Sequence, residues 1–335
     1  MTETPNPVTG SGRADLPLGR VLFANMLLLG VAILWGSHIP VLDVLLGTLD
    51  VWTVALFRYL ILIPVAMCWL TLSTAQPFRP TPPKDAEADA GTPARFPLRR
   101  IAILGIPGVL GFALFYSSGI YFAGPISAAI IATCSPVVAT LVNWIISGTR
   151  PGREMWLAMA FAVTGGLIAV FSREPAGPGQ DHRVPVLGEV LLVCGMICWS
   201  SYSVFAQRWL AGYSQLQITS FTMTAAGTGM VLLYPLLCLA GIAQLPDALP
   251  PLTIVVGLVY VALLPTLFGT FLWHSGIGIV GVPVAALYMN LLPIFAVLIS
   301  MLIGAIPTTG QIIGGLVVLA GVAQAQFHRL KTRPN

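Results

Sequence analysis

Two stretches of the chain read alike: "SSGIYFAGPISAAIIATCSP" at residues 117–136 and "HSGIGIVGVPVAALYMNLLP" at residues 274–293. At a constant offset of 157, Ser118, Gly119 and Ile120 align with Ser275, Gly276 and Ile277. Gly124 then aligns with Gly281, Ala128 and Ala129 with Ala285 and Ala286, and Pro136 with Pro293, all without a gap. A register kept this long marks an internal duplication. An offset of 164 pairs Trp35 with Trp199 and Ser37 with Ser201 upstream, and one of 156 pairs Gly165 with Gly321 downstream.

The duplicated stretches are apolar, and so is most of what surrounds them. Of 335 residues 56% are hydrophobic and 8% charged, where an ordinary soluble domain is about one quarter charged. Runs of about twenty apolar residues cross a hydrocarbon core of about 30 Å as helices. Ten such spans are expected, over 21–41, 51–72, 101–122, 125–147, 154–172, 187–209, 216–241, 252–275, 279–303 and 307–327. The first is too long for a signal-peptide core and has no small-residue cleavage site, which makes it a retained span. Each copy therefore holds five helices. Because five is odd, the second copy enters the membrane from the opposite side, giving an inverted repeat.

Charge sets the orientation. Arg13, Arg20, the basic residues of 73–100, Arg150, Arg153, Arg208 and the basic C-terminal tail all fall on one side. Only Arg173 and Arg183 fall on the other, so the positive-inside rule places both termini in the cytoplasm. The expected fold class is all-α integral membrane: ten transmembrane helices as two inverted five-helix repeats, both termini cytoplasmic. The layout is a cytoplasmic tail at 1–20, a first repeat at 21–172, an external linker at 173–186, a second repeat at 187–328 and a basic cytoplasmic tail at 329–335. Within the first repeat, 73–100 is rich in Pro, Ala and charge and reads as a long disordered cytoplasmic loop.

Several chemistries are disfavoured. Cys68, Cys134, Cys194, Cys198 and Cys238 fall inside spans without metal-ligand spacing or a secreted disulfide framework, so they read as packing residues. The net charge of +4 is explained by topology and does not imply a nucleic-acid partner. No ATP-binding motif is present, no cofactor is expected, and Asp43, Asp50, Glu154 and Glu189 all lie near span ends. A carboxylate proton relay deep in the membrane is therefore not expected, and any proton coupling would fall to His38 or His274.

The ordered segments resemble the EamA-type transporters of the drug/metabolite transporter superfamily over about residues 21 to 328. The resemblance rests on "WGS" in the first span, "LFRYLIL" around Arg58, "SAAIIATCSPVVATLV" in the fourth and "CWSSYSVFAQRW" in the sixth. It continues with "GTFLWHSG" in the eighth, "PVAALYMNLLPIFAVLISMLIG" in the ninth and "IIGGLVVLAGV" in the tenth. The chain departs from the family pattern in carrying Thr149 and Ala305 where a glutamate is common, and His38 where asparagine is common. The resemblance implies a secondary transporter, with amino acids and related compounds its best-known substrate class.

Polar and aromatic groups inside apolar spans mark a candidate pathway, because a polar group in hydrocarbon needs a partner or water. Trp35 and His38 lie three apart on one helix face, with Ser37 between them, and at the 164 offset His38 maps onto Tyr202, three after Trp199. Tyr116 and Ser117 pair likewise with Trp273 and His274. Two clusters are expected, an outer one holding Trp35, His38, Tyr116 and Ser117 and an inner one holding Trp199, Tyr202, Trp273 and His274. Other readings stay open: an interfacial anchor for Trp273, and for His38 a bridge between helices or a cap for the carbonyl freed by Pro40. Arg58 is either a structural tether or an attractor for a substrate carboxylate. Tyr288 and Asn290 either line the pathway before Pro293 or bond between helices. Gly165, Gly166, Gly314, Gly315 and Gly321 form small-residue faces on the fifth and tenth spans, suited to close packing and compatible with a homodimer.

The functional expectation is a multi-pass inner-membrane secondary transporter, an exporter of small polar or amphipathic metabolites such as amino acids and derivatives, working by alternating access. Its partners would be the small-molecule substrate and the lipid bilayer. The competing readings are a non-transporting receptor or scaffold and an intramembrane enzyme, for which no nucleophile–base spacing appears.

Overall fold

A computed structural model describes residues 18–73, 97–148, 150, 153–172, 182–210, 212–280 and 288–331. Most of the expected 73–100 loop, most of the 173–186 linker and both tail ends lie outside the described residues. Every regular element among the described residues is a helix.

The elements are α1 (Leu18–Leu46), α2 (Val51–Ser73), α3 (Leu98–Ala123), α4 (Pro125–Ala132), α5 (Ser135–Ser147) and α6 (Arg153–Phe171). Then follow α7 (Pro185–Trp209), α8 (Gln215–Leu239), α9 (252–280), α10 (Leu292–Leu302) and α11 (Thr309–Lys331). Six helices are long and apolar enough to cross a membrane, and α4 with α5, bent by 53° between them, makes a seventh if the pair is one span. Shorter apolar helices cover Trp156–Ala169, Leu292–Leu302 and Thr309–Gly321. Large apolar side chains face outward along the long helices, including Phe23 and Met26 of α1 and Leu232 and Leu236 of α8. Exposure on that scale suits a lipid-facing belt rather than water.

Local chemistry sets several helix starts. Asp50 caps α2, its Oδ1 accepting from the backbone N–H of Trp52 and Thr53, both at 2.9 Å. Ser214 and Gln217 form a reciprocal capping box on α8, as Thr308 and Gln311 do on α11. Between α3 and α4 the chain turns at Gly124, whose φ of +85° only glycine adopts without strain. Arg183 fastens that turn. Its Nη1 donates to the carbonyls of Ile120 and Tyr121 at 2.7 Å each, and its Nη2 to the Asp43 carboxylate at 2.9 and 3.2 Å.

The two halves are cross-packed: α1 lies along the last part of α9, and α7 lies along the last part of α3. The duplicated residues make duplicated contacts. A Cβ on Gly276 would stand 2.7 Å from the Leu28 side chain, and one on Gly119 would stand 2.6 Å from that of Leu192. Gly119 and Gly276 are equivalent at the 157 offset, and Leu28 and Leu192 at the 164 offset.

The glycine faces of α6 and α11 are used within the chain. A Cβ on Gly165 would lie 2.5 Å from the Gly314 carbonyl oxygen, and one on Gly321 would lie 2.3 Å from the Phe161 side chain. Backbones this close are what small residues permit. Gly165, Gly314 and Gly321 are thus taken up within the chain, whereas a Cβ on Gly166 would meet nothing within 4 Å; the homodimer the sequence allowed gains no support from this packing.

Candidate functional site

The chamber is made possible by breaks in the helices around it. Both α3 and α9 contain a π-helical segment centred on proline, Leu104–Leu110 with Pro107 and Ala262–Phe268 with Pro265. Proline has no N–H to give the carbonyl four residues back. At Pro265 that carbonyl belongs to Val261, and the Thr266 hydroxyl donates to it at 2.8 Å. The same substitution serves the α4–α5 break, where the Ser135 hydroxyl bonds the Ala132 carbonyl ahead of Pro136. The wider π turn also passes over a carbonyl: Gly269 N–H donates to Leu264, which leaves the Pro265 oxygen to accept from Trp35 Nε1 at 2.8 Å.

These breaks surround a cavity of about 330 Å³, at the small end of the roughly 300–1,000 Å³ typical of ligand sites. Five of the twelve residues expected from sequence line it: Trp35 and His38 from α1, Arg58 from α2, Tyr116 from α3 and Trp199 from α7. Both halves therefore contribute. Arg58 is 7% exposed, and its guanidinium carbon lies 5.3 Å from the centre of the Tyr59 ring. No carboxylate pairs with it among the described residues. His38 Nε2 is buried without a hydrogen-bond partner. That leaves the helix-bridging and carbonyl-capping roles without a contact from this nitrogen, on a side chain that forms part of the chamber wall.

Other expected residues stand behind the wall. The Ser37 hydroxyl donates to the Leu34 carbonyl at 2.9 Å and shares a 2.5 Å hydrogen bond with the Tyr260 hydroxyl. Ser117 is buried. Tyr202 backs Trp199, their ring centres 5.2 Å apart, and its hydroxyl shares a 3.2 Å bond with Thr222. Trp273 backs Trp35 at 5.7 Å. Tyr288 is half-buried in the turn before α10, and its chain neighbour Met289 lines the cavity. The side chains of His274 and Asn290 lie outside what is described.

The aromatic groups are sorted differently from the expected outer and inner clusters. Trp35, assigned outward, packs on Trp273, assigned inward. Phe112 joins the other two sets, its ring centre 5.1 Å from both Tyr116 and Trp199. The cross-packing of α1 with α9 and of α7 with α3 explains this, since each contact takes one partner from each half.

Much of the wall carried no sequence signal. Phe112, Tyr59, Thr133, Ser135, Met196, Ser200, Met223, Thr266 and Thr270 all contribute to it. A hydroxyl adjoining a mid-span proline is the one cue that could have singled out Ser135 and Thr266. Among the described residues, no group of three His, Cys, Asp or Glu side chains is placed to hold a metal.

Comparison with known proteins accords with this architecture. Residues 22–171 and 186–325 each match the EamA-like transporter family. An uncharacterized transporter, YyaM, of Bacillus subtilis is 24% identical over 67% of this chain and 71% of its own length. An uncharacterized transporter of Archaeoglobus fulgidus is 21% identical over 89% of this chain and 95% of its own. A probable terminal-alkyne amino-acid exporter of Streptantibioticus cattleyicolor is 24% identical over 67% of this chain and 72% of its own. A solved crystal structure shares the fold, with a TM-score of 0.60 at 18% identity over 93% of this chain and 99% of that one. With both halves matched and a chamber between them, the chain belongs to the EamA-like transporter family and is a multi-pass membrane protein.

Proposed function

We propose that the protein is a secondary transporter of the inner membrane that exports small polar or amphipathic metabolites, such as amino acids and derivatives, by alternating access. Its ten spans form two inverted five-helix repeats, with both termini in the cytoplasm. The observation that carries the reading is the chamber itself: Trp35 of the first half and its repeat equivalent Trp199 of the second both line it. Two inverted halves around one central site are the usual build of an alternating-access machine. Relatives named as transporters support the general activity, and the probable amino-acid exporter supports the outward direction and the substrate class.

The pathway runs through Trp35, His38, Arg58, Tyr116 and Trp199, with Ser37, Ser117, Tyr202, Trp273 and Tyr288 shaping it from behind or from its ends, and His274 and Asn290 are assigned to it from sequence alone. Without an ATP-binding motif, transport runs on gradients. The test is counterflow in proteoliposomes: purified protein preloaded with a metabolite mixture accumulates labelled substrate, and Trp35→Ala and Trp199→Ala do not. A protein that binds ligand but moves none would be a receptor, and one that returns altered ligand would be an enzyme.

A further inference from the structure

We infer that the chamber selects an anion: a small amphipathic monocarboxylate with no ammonium group, in preference to a zwitterionic amino acid. This rests on the transporter reading above and, within its amphipathic metabolites, favours organic acids over the amino acids given there as the example. The first ground is a charge without a counter-charge. Arg58 stands on the wall at 7% exposure, and neither the lining nor any ion pair among the described residues supplies an acid to neutralise it. A permanently charged guanidinium at such a depth is costly until a carboxylate or water compensates it. Its planar fork of donors suits a carboxylate in particular.

The second ground is His38, a residue of the same wall whose Nε2 is buried without a hydrogen-bond partner and would meet a ligand once the ring turns toward the cavity. A buried nitrogen without a bond is stabilised by any ligand that supplies one, and a carboxyl group offers an acceptor in the ionised form and a donor in the acid form. Phe112, Met196, Met223 and Trp199 provide an apolar surround for the rest of the molecule.

An amino acid fits this arrangement less well. Its carboxylate would neutralise Arg58, but its ammonium would bring a second positive charge into the same cavity, where no Asp or Glu stands among the described lining residues to receive it. Aromatic faces attract cations more weakly than a carboxylate does. A monocarboxylate leaves the loaded chamber neutral, whereas a zwitterion leaves it with one net positive charge.

The test uses the purified full-length protein and probes sharing one phenylpropyl body: 3-phenylpropanoate, phenylalanine, 3-phenylpropan-1-amine and 3-phenylpropan-1-ol, titrated by calorimetry. We expect 3-phenylpropanoate to bind at least tenfold more tightly than phenylalanine, and the amine to show no saturable binding over the same range. Arg58→Gln should weaken 3-phenylpropanoate at least tenfold while leaving the alcohol within twofold, with Arg58→Lys between. A purely structural arginine would weaken the acid and the alcohol together. If Arg58→Gln does not fold, the probe series on the wild-type protein decides alone. Phenylalanine binding as tightly as 3-phenylpropanoate, or 3-phenylpropanoate not binding, overturns the inference. Tight 3-phenylpropanoate binding without movement in proteoliposomes would instead overturn the transport reading and leave the charge selection standing.

Discussion

The contact of α1 with α9 and that of α7 with α3 are built on the same plan but finished differently. Both begin from equivalent pairs, Leu28 with Gly276 and Leu192 with Gly119. Both face a π-helical segment centred on proline, and in both the glycine that follows directs its N–H away from the proline carbonyl, Gly269 to Leu264 and Gly111 to Ile106 and Gly108. In the first contact the freed carbonyl of Pro265 is taken by the indole of Trp35, which also packs on Trp273. In the second, the equivalent Trp199 is 38% exposed, leans on Phe112 and Tyr202, and has no indole hydrogen bond among the described residues. The scaffold is therefore duplicated while the aromatic contacts built on it are not. One tryptophan is tied to backbone and the other is not.

The largest effect should come from the shared scaffold. Gly119→Leu and Gly276→Leu each force a side chain into space already held by Leu192 or Leu28. Such overpacking costs about 1–3 kcal/mol or more. Both variants should lose most folded protein on detergent size-exclusion chromatography, and to similar extents. Loss from only one would break the equivalence of the two contacts.

The tryptophans should separate function from stability. Both Trp35→Ala and Trp199→Ala should abolish most transport in proteoliposomes. Trp35→Ala should also lower unfolding free energy by about 3 kcal/mol, the low end for a large aromatic truncation, whereas the half-exposed Trp199 should cost clearly less. Equal losses would mean that Trp199 is as firmly held as Trp35.

Phenylalanine isolates the hydrogen bond. Trp35→Phe keeps a ring but strands the Pro265 carbonyl, a loss of about 1 kcal/mol, visible as a lower unfolding midpoint. Trp199→Phe should leave that midpoint unchanged. The smallest perturbation is chemical: single cysteines at positions 38 and 274, in a chain otherwise lacking cysteine, should react with impermeant maleimide from outside and from inside respectively. The reverse pattern would invert the expected orientation of the chain.

The membrane class was legible from residues alone because hydropathy is local: twenty apolar residues in a row have few other uses. The duplication was legible for a related reason. Gly119 and Gly276 must both be small to admit a leucine, and that requirement leaves the same letter at the same offset. Arg58 and His38 stood out because polar groups in hydrocarbon are costly wherever they lie.

The wall of the chamber is a different kind of fact. Phe112, Met196 and Met223 look like any core residues in sequence, and only the cross-packing of the halves brings them to one cavity. The pairing of Trp35 with Trp273, across the line that sequence drew between outer and inner clusters, depends on which helix lies beside which. Pro107 and Pro265 drew no notice in the sequence, and only the fold shows that each sits in a π turn and that the one at Pro265 leaves a carbonyl for a distant indole. Composition and periodicity are sums over neighbours in the chain, whereas a site is a sum over neighbours in space. That is why sequence could determine that this protein spans a membrane in two related halves, and only the tertiary structure could decide which Trp is held and which is not.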